Sequence, residues 1–209
     1  MGIGAFVRGC FGNHERWISD VYRSIFIDID QFVARLAVWA PEAKSILEVG
    51  CGEGAMAERL VAAFPAAEVT GIDITSRLGR LYAGPEGRVR FIQMTVQELS
   101  KREPGGYDLI VLADVLHHVP LDIRDELMAA IRTLMAPGAK FAMKEWERNY
   151  SPIYWLCYLS DRWLTGDRVR YLTRAEGHRQ IDAAFGPASR IDEVRIAPWR
   201  ENIATLVTV

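Results

Sequence analysis

The stretch Ile46-Leu47-Glu48-Val49-Gly50-Cys51-Gly52-Glu53-Gly54 decides the fold. A short apolar run carrying one acid gives way to three glycines at alternate positions. Then comes Ala55-Met56-Ala57-Glu58-Arg59-Leu60-Val61-Ala62-Ala63-Phe64, whose apolar residues recur at helical spacing. That order is strand, tight turn, helix. Glycine in such a turn adopts positive φ and leaves bare backbone for a ligand to lie against.

Upstream, residues 14–40 place Trp17, Ile18, Val21, Tyr22, Ile25, Phe26, Ile29, Phe32, Val33, Leu36, Ala37 and Trp39 at recurring helical spacings. This predicts one or two amphipathic helices before a boundary at Pro41. Downstream, strand and helix patterns alternate. Strands are expected at Ser45–Val49, 68–74, 89–94, Tyr107–Ala113 and 139–144, and two closing strands at 191–196 and 203–209. Helices are expected at 55–64, 76–82, 96–101, 125–135 and 173–185. The run 107–113 is continuously apolar, as in a strand buried on both faces. The alternation predicts a parallel α/β sheet with helices on both faces and right-handed crossovers. One domain is expected, with a helical cap at 1–40, a core at 41–145, an aromatic insertion at 146–172, and a closing helix with strands at 173–209.

At 209 residues, half of them hydrophobic, the chain can bury one substantial core. A net charge of −2, with acids and bases interspersed, gives no general attraction for nucleic acid or anionic membranes. The three cysteines, Cys10, Cys51 and Cys157, are scattered without a CxxC pair and read as reduced thiols. Met1–Arg8 lacks the apolar core of a signal peptide, and no apolar run reaches the ~18 residues of a spanning helix. The expectation is a cytoplasmic protein without stable membrane insertion. No acid cluster suggests a magnesium site, so no metal is expected.

Dinucleotides and S-adenosylmethionine both use a strand–glycine turn–helix. Gly50-x-Gly52-x-x-Ala55 fits a relaxed dinucleotide fingerprint, and Asp73 follows at about the ~20-residue spacing of a ribose-binding acid. Glu48 tilts the choice: a pyrophosphate has no use for a carboxylate there, whereas the ammonium of a methionine moiety does. Gly54 completes E-x-G-x-G-x-G, and no Tyr-x-x-x-Lys pair follows the fourth strand. A nicotinamide-dependent oxidoreductase and a non-catalytic binding subunit are the rival readings.

Four segments in order carry a family resemblance: Glu48–Gly54, Gly71-Ile72-Asp73-Ile74, 107–119 with its Asp114-Val115-Leu116-His117-His118, and Leu134-Met135-Ala136-Pro137-Gly138-Ala139. Across residues 40–209 the chain resembles the class I S-adenosylmethionine-dependent methyltransferases, most of all the small-molecule branch with the ubiquinone/menaquinone-type enzymes. The resemblance implies a seven-stranded Rossmann-like sheet with its last strand antiparallel, S-adenosyl-L-methionine as cofactor, and a small-molecule or lipid-like acceptor of aromatic or polyketide type. It also implies methyl transfer by in-line displacement. The signature of nucleic-acid or protein methylation, Asn/Asp-Pro-Pro-aromatic, is absent after the fourth strand.

Several residues then acquire expected roles. Glu48 would accept from the cofactor ammonium, beside the backbone of Gly50, Cys51, Gly52 and Gly54. Asp73 would accept both ribose hydroxyls, with Ile74 beside it, or else cap a helix at 76. The family places an acid after the third strand to meet adenine; here Thr95 stands there, with Glu98 as a substitute and the Val96 N–H for a ring nitrogen. The Ala113 carbonyl and Asp114 are further candidates for the ammonium. His117 and His118 are candidate general bases, one of them expected to be structural. Lys144 and Glu145 would face the cleft. Trp17, Tyr22, His118, Glu145, Tyr154, Trp155 and Tyr158 are candidate acceptor contacts, although the aromatics could equally form a packed stripe.

Overall fold

A computed structural model describes residues 26–160, 162 and 169–208 of the chain. Along them run α1 (Ile29–Trp39), β1 (Ser45–Val49), α2 (Ala55–Ala63), β2 (Glu68–Asp73), β3 (Val89–Gln93), α3 (Val96–Arg102) and β4 (Tyr107–Ala113). Then follow α4 (Arg124–Leu134), β5 (Met135–Trp146), α5 (Pro152–Ser160), α6 (Arg174–Phe185), β6 (Arg190–Ile196) and β7 (Asn202–Thr208). Two short 3₁₀ turns, Leu116–His118 and Leu121–Ile123, lead from β4 into α4.

The seven strands lie in the order β3-β2-β1-β4-β5-β7-β6. Strands β1 to β5 pair in parallel, and β7 runs antiparallel to both neighbours. Side chains of one strand alternate between faces, and here both faces are covered. Ile110 and Leu112 of β4 pack with Leu127, Ile131, Phe141 and Ile181, under α4 and α6. Leu109 and Val111 pack with Phe32, Leu36, Met56 and Leu60, under α1 and α2. Two-sided burial is the reason 107–113 is apolar throughout.

The chain leaves β1 toward β2 on one side and returns to β4 on the other. This reversal opens a crevice at the carboxyl ends of β1 and β4, where ligands of open α/β sheets bind.

Two expected elements need correction. Residues 76–82 form turns, not a helix, because their amides are used elsewhere. Gly79 donates its N–H to the Gly52 carbonyl at 3.0 Å and Leu81 to the Glu53 carbonyl at 2.9 Å. The segment braces the glycine turn, with Gly79 pressed against the Phe91 ring. Strand β5 begins at Met135 rather than 139, because Pro137 and Gly138 sit exposed where its register with β4 shifts. The expected ends of β2, β3 and β7 differ by one residue or so. The described part of the aromatic insertion packs α5 onto Trp146, Tyr171 and Phe26.

Candidate active site at the carboxyl ends of the strands

The turn after β1 depends on glycine geometry. Gly50 and Cys51 both donate to the Ile72 carbonyl, at 2.8 and 3.1 Å. Gly50 has φ +77°, and a Cβ there would stand 2.3 Å from a Val115 methyl. Gly54, at φ +94°, opens α2 in the left-handed region. A Cβ on Gly52 would meet nothing within 4 Å, so Gly52 leaves space open beside the turn.

Asp73 fixes this turn from β2. Its Oδ2 accepts from the Gly52 N–H at 2.8 Å and its Oδ1 from the Thr75 N–H at 2.9 Å. Each oxygen keeps a lone pair for a ligand. Thr95 caps α3: its hydroxyl donates to Glu98 Oε2 at 2.9 Å, and its oxygen accepts from the Glu98 N–H at 3.2 Å. This box engages both Thr95 and Glu98. The Val96 N–H, in the first turn of α3, has no intrahelical acceptor.

Gly50, Asp73, Ile74, Thr95, Val96, Asp114, His117 and His118 share the wall of one cavity of about 1060 Å³. Its volume stands at the top of the ~300–1,000 Å³ range of small-molecule sites. The remaining wall is largely apolar, from Val119 to Leu127, and includes Arg124 and Arg170.

The most connected group in the wall is His117. Its Nδ1 lies 2.6 Å from Glu145 Oε2, and Glu145 Oε1 accepts from the Val115 and Leu116 N–H groups at 3.1 and 2.6 Å. Burial pushes the Glu145 carboxyl up. The facing His117 ring, the Leu116 amide and the Lys144 ammonium outweigh this and hold it below the usual carboxylate range. An ionised carboxylate only accepts, so Nδ1 carries a proton and Nε2 is the nitrogen left to receive one. The His117 ring stacks on Tyr171, with centroids 4.6 Å apart, and lies against His118 at 4.2 Å.

Asp114 turns the chain out of β4 at φ +56°, donating its N–H to the Lys144 carbonyl at 2.9 Å. Its carboxylate pairs with the fully buried Lys144 ammonium. Glu48 lies behind the turn, on the β1 face it shares with Ile46. Burial, and after it the Asp73 charge, push its carboxyl up to about 8. Its Oε2 is buried without a donor among the described residues. Burial, followed by Glu48 and Asp73, likewise raises the Cys51 thiol well above its ordinary value, which makes it a poor nucleophile.

Other expected roles are redistributed. Glu145 is buried and bonds to His117, and it does not line the cavity. Lys144 is engaged by Asp114 and does not face the cavity. Tyr154 is buried in the cluster with Trp146 and Tyr171, Tyr158 packs against that cluster, and Trp155 is exposed. None of the three lines the cavity among the described residues, because Tyr154 and Tyr158 pack in that cluster and Trp155 lies on the surface. Glu48, Cys51, Gly52, Gly54 and Ala113 flank the cavity without lining it. Trp17 and Tyr22 lie outside the described residues. Sequence reasoning missed Arg124 and Arg170, since one basic residue opening a helix and one in a polar loop resemble solvated surface. Among the described residues no three potential metal ligands come together.

A family model described as a methyltransferase domain matches residues 47–141. The ubiquinone biosynthesis O-methyltransferase of Aeromonas salmonicida is 32% identical over 166 residues, covering 74% of this chain and 68% of that protein. Its counterpart in Sodalis glossinidius is 34% identical over 165 residues, covering 76% of this chain and 61% of that protein. Among solved structures, the Burkholderia thailandensis 1,6-didemethyltoxoflavin N1-methyltransferase, with 1,6-didemethyltoxoflavin and S-adenosylhomocysteine bound, superposes with a TM-score of 0.69. That match covers 98% of this chain and 87% of the other at 19% identity, and it speaks to the fold. Sheet order, glycine turn and relatives agree: this chain belongs to the class I S-adenosylmethionine-dependent methyltransferases, in their small-molecule branch.

Proposed function

We propose that this chain methylates a hydroxyl oxygen of a small acceptor of aromatic or polyketide type, with His117 as general base and Glu145 as the residue that orients it. The observation that carries this reading is the 2.6 Å bond between buried Glu145 and His117, whose ring lines the cavity. The relatives named as O-methyltransferases support oxygen as the accepting atom. In this reading residues 41–145 hold the cofactor. A reducing cytoplasm suits Cys51 and Cys157, both buried.

The residues present fit S-adenosylmethionine. The donorless Glu48 Oε2 suits an ammonium beside the turn. The spare lone pairs of Asp73 suit two ribose hydroxyls, and the Val96 N–H suits an adenine ring nitrogen. When bound, the cofactor supplies a methyl group on a cationic sulfur that leaves as a neutral thioether. His117 Nε2 would take the proton that the acceptor hydroxyl loses on methylation. Glu145 stabilises the imidazolium that forms. The cavity walls hold the acceptor in line and keep water out; such positioning supplies about 7–11 kcal/mol of a barrier, and a general base about 10²–10⁴ in rate.

The test is a rate survey over phenols and catechols with S-adenosylmethionine, followed by variants on the best acceptor. His117→Asn should lower kcat by about 10²–10⁴ with cofactor affinity retained. Glu145→Gln should lower kcat less. It should also move the acid limb of the pH profile to lower pH, because the imidazolium loses its counter-charge. Wild-type kcat in His117→Asn, or an unmoved limb in Glu145→Gln, contradicts the assignment.

A further inference from the structure

Arg124 is the only buried arginine among the described residues, at 2% exposure. Several surface and half-buried arginines are paired with acids: Arg148 with Glu176, Arg190 with Asp182, Arg90 with Glu103, Arg174 with Glu193. Arg124 has no such partner among the described residues. Its Nε donates to the Val119 carbonyl at 2.9 Å and its Nη2 to the Arg170 carbonyl at 3.2 Å, both neutral acceptors. Burial lowers its pKa, which marks a cation taken out of water without full compensation.

The nearest acids are committed elsewhere. Glu145 holds His117, Glu176 pairs with Arg148 and caps α6, and Asp125 accepts from Gln180 at 2.5 Å. Arg124 instead lines the large cavity, and so does Arg170, which has no acidic partner among the described residues. The Arg170 N–H donates to the His117 carbonyl at 2.8 Å, which ties this cationic end to the base. Apolar Val119, Leu121, Ile123 and Leu127 complete the wall.

We infer that the acceptor carries an anionic oxo group, carboxylate or phosphate, which Arg124 and Arg170 receive while its apolar body lies along Val119–Leu127 and its hydroxyl meets His117. This rests on the reading of the cavity proposed above. A guanidinium presents paired N–H groups that match either anion, and it stays charged when desolvated. The pair would orient the acceptor and discriminate against neutral analogues, since an unfilled Arg124 stays buried without a counter-ion.

The test is calorimetry on protein saturated with S-adenosylhomocysteine, using 3-(4-hydroxyphenyl)propanoate, its neutral amide, and 2-(4-hydroxyphenyl)ethylphosphonate as probes. At least one anion should bind about 10–100-fold tighter than the amide, as charge-assisted bonds of this kind give. Whether carboxylate or phosphonate binds tighter identifies the source of the charge. The preference should shrink to within about threefold in Arg124→Gln and in Arg170→Gln; the exposed Arg170 keeps the test open should Arg124→Gln fail to fold. Equal binding of acids and amide, no binding of either anion, or a preference that survives Arg170→Gln overturns the inference. Failure of S-adenosylhomocysteine itself to bind would instead overturn the underlying reading of the cavity.

Discussion

In the proposed reading, Glu48 changes its charge state when the cofactor fills the site. Held at about 8, its carboxyl is protonated in the free protein at neutral pH. An ammonium is received by the carboxylate, so binding S-adenosylhomocysteine should expel a proton. Affinity should then fall as pH drops below 8, by up to about tenfold per unit, and Glu48→Gln should flatten that dependence. Titration calorimetry in buffers of different ionisation enthalpy reads the proton directly; a pH-independent affinity in the native protein contradicts this role. The same raised value has a stability consequence. Relative to an unfolded Glu near about 4.3, the free fold binds the extra proton, so stability is lost as pH rises from there toward 8. Denaturant titration of free Glu48→Gln should show a smaller loss over that range. Gly50 makes a second residue-scale test. Gly50→Ala adds a Cβ against Val115 at a left-handed φ and should cost about 1–3 kcal/mol, with cofactor binding reduced. Val115→Ala in the same chain should recover part of that loss.

At the scale of elements, the start of α3 separates two ways of meeting adenine. Thr95 stands where the family commonly has an acid, but its hydroxyl is closed into the capping box with Glu98. Thr95→Ala should therefore cost about 1 kcal/mol in thermal or denaturant unfolding while changing S-adenosylhomocysteine affinity less than about threefold. A loss of tenfold or more would show that the hydroxyl itself holds the nucleoside. The turn at 76–82 carries a related lesson. Its polar residues and helical spacing suggest a helix, and nothing local reveals that the Gly79 and Leu81 amides are claimed by Gly52 and Glu53 across the fold. Long-range hydrogen bonds of this kind override local propensity. The α5 aromatics were ambiguous for the opposite reason: a stripe at helical spacing marks burial but not the surface it is buried against.

On the scale of the whole molecule, the sheet is what sets Asp73, Asp114 and His117 around one crevice, with Glu48 behind the glycine turn. Phe141, fully buried under α6 with Phe185 stacked on it, anchors that sheet outside the cavity wall. Phe141→Ala should cost about 3–5 kcal/mol of stability, read by denaturant unfolding. The architecture was legible because the central strands are largely apolar on both faces and most turns are marked by Gly or Pro. The glycine turn and Asp73 were legible because their chemistry is local to one strand end. His117 could be named but not its partner, since Glu145 reaches it across the β4–β5 pair from 28 residues away. Arg124 and Arg170 gain meaning only once burial and missing acids are seen together. The most direct measurement is a crystal structure with S-adenosylhomocysteine bound. Its amine should lie toward Glu48, its ribose on Asp73, its adenine at Val96, and its sulfur toward the space beside His117. Product bound outside this crevice, or with its sulfur turned away from His117, would contradict it.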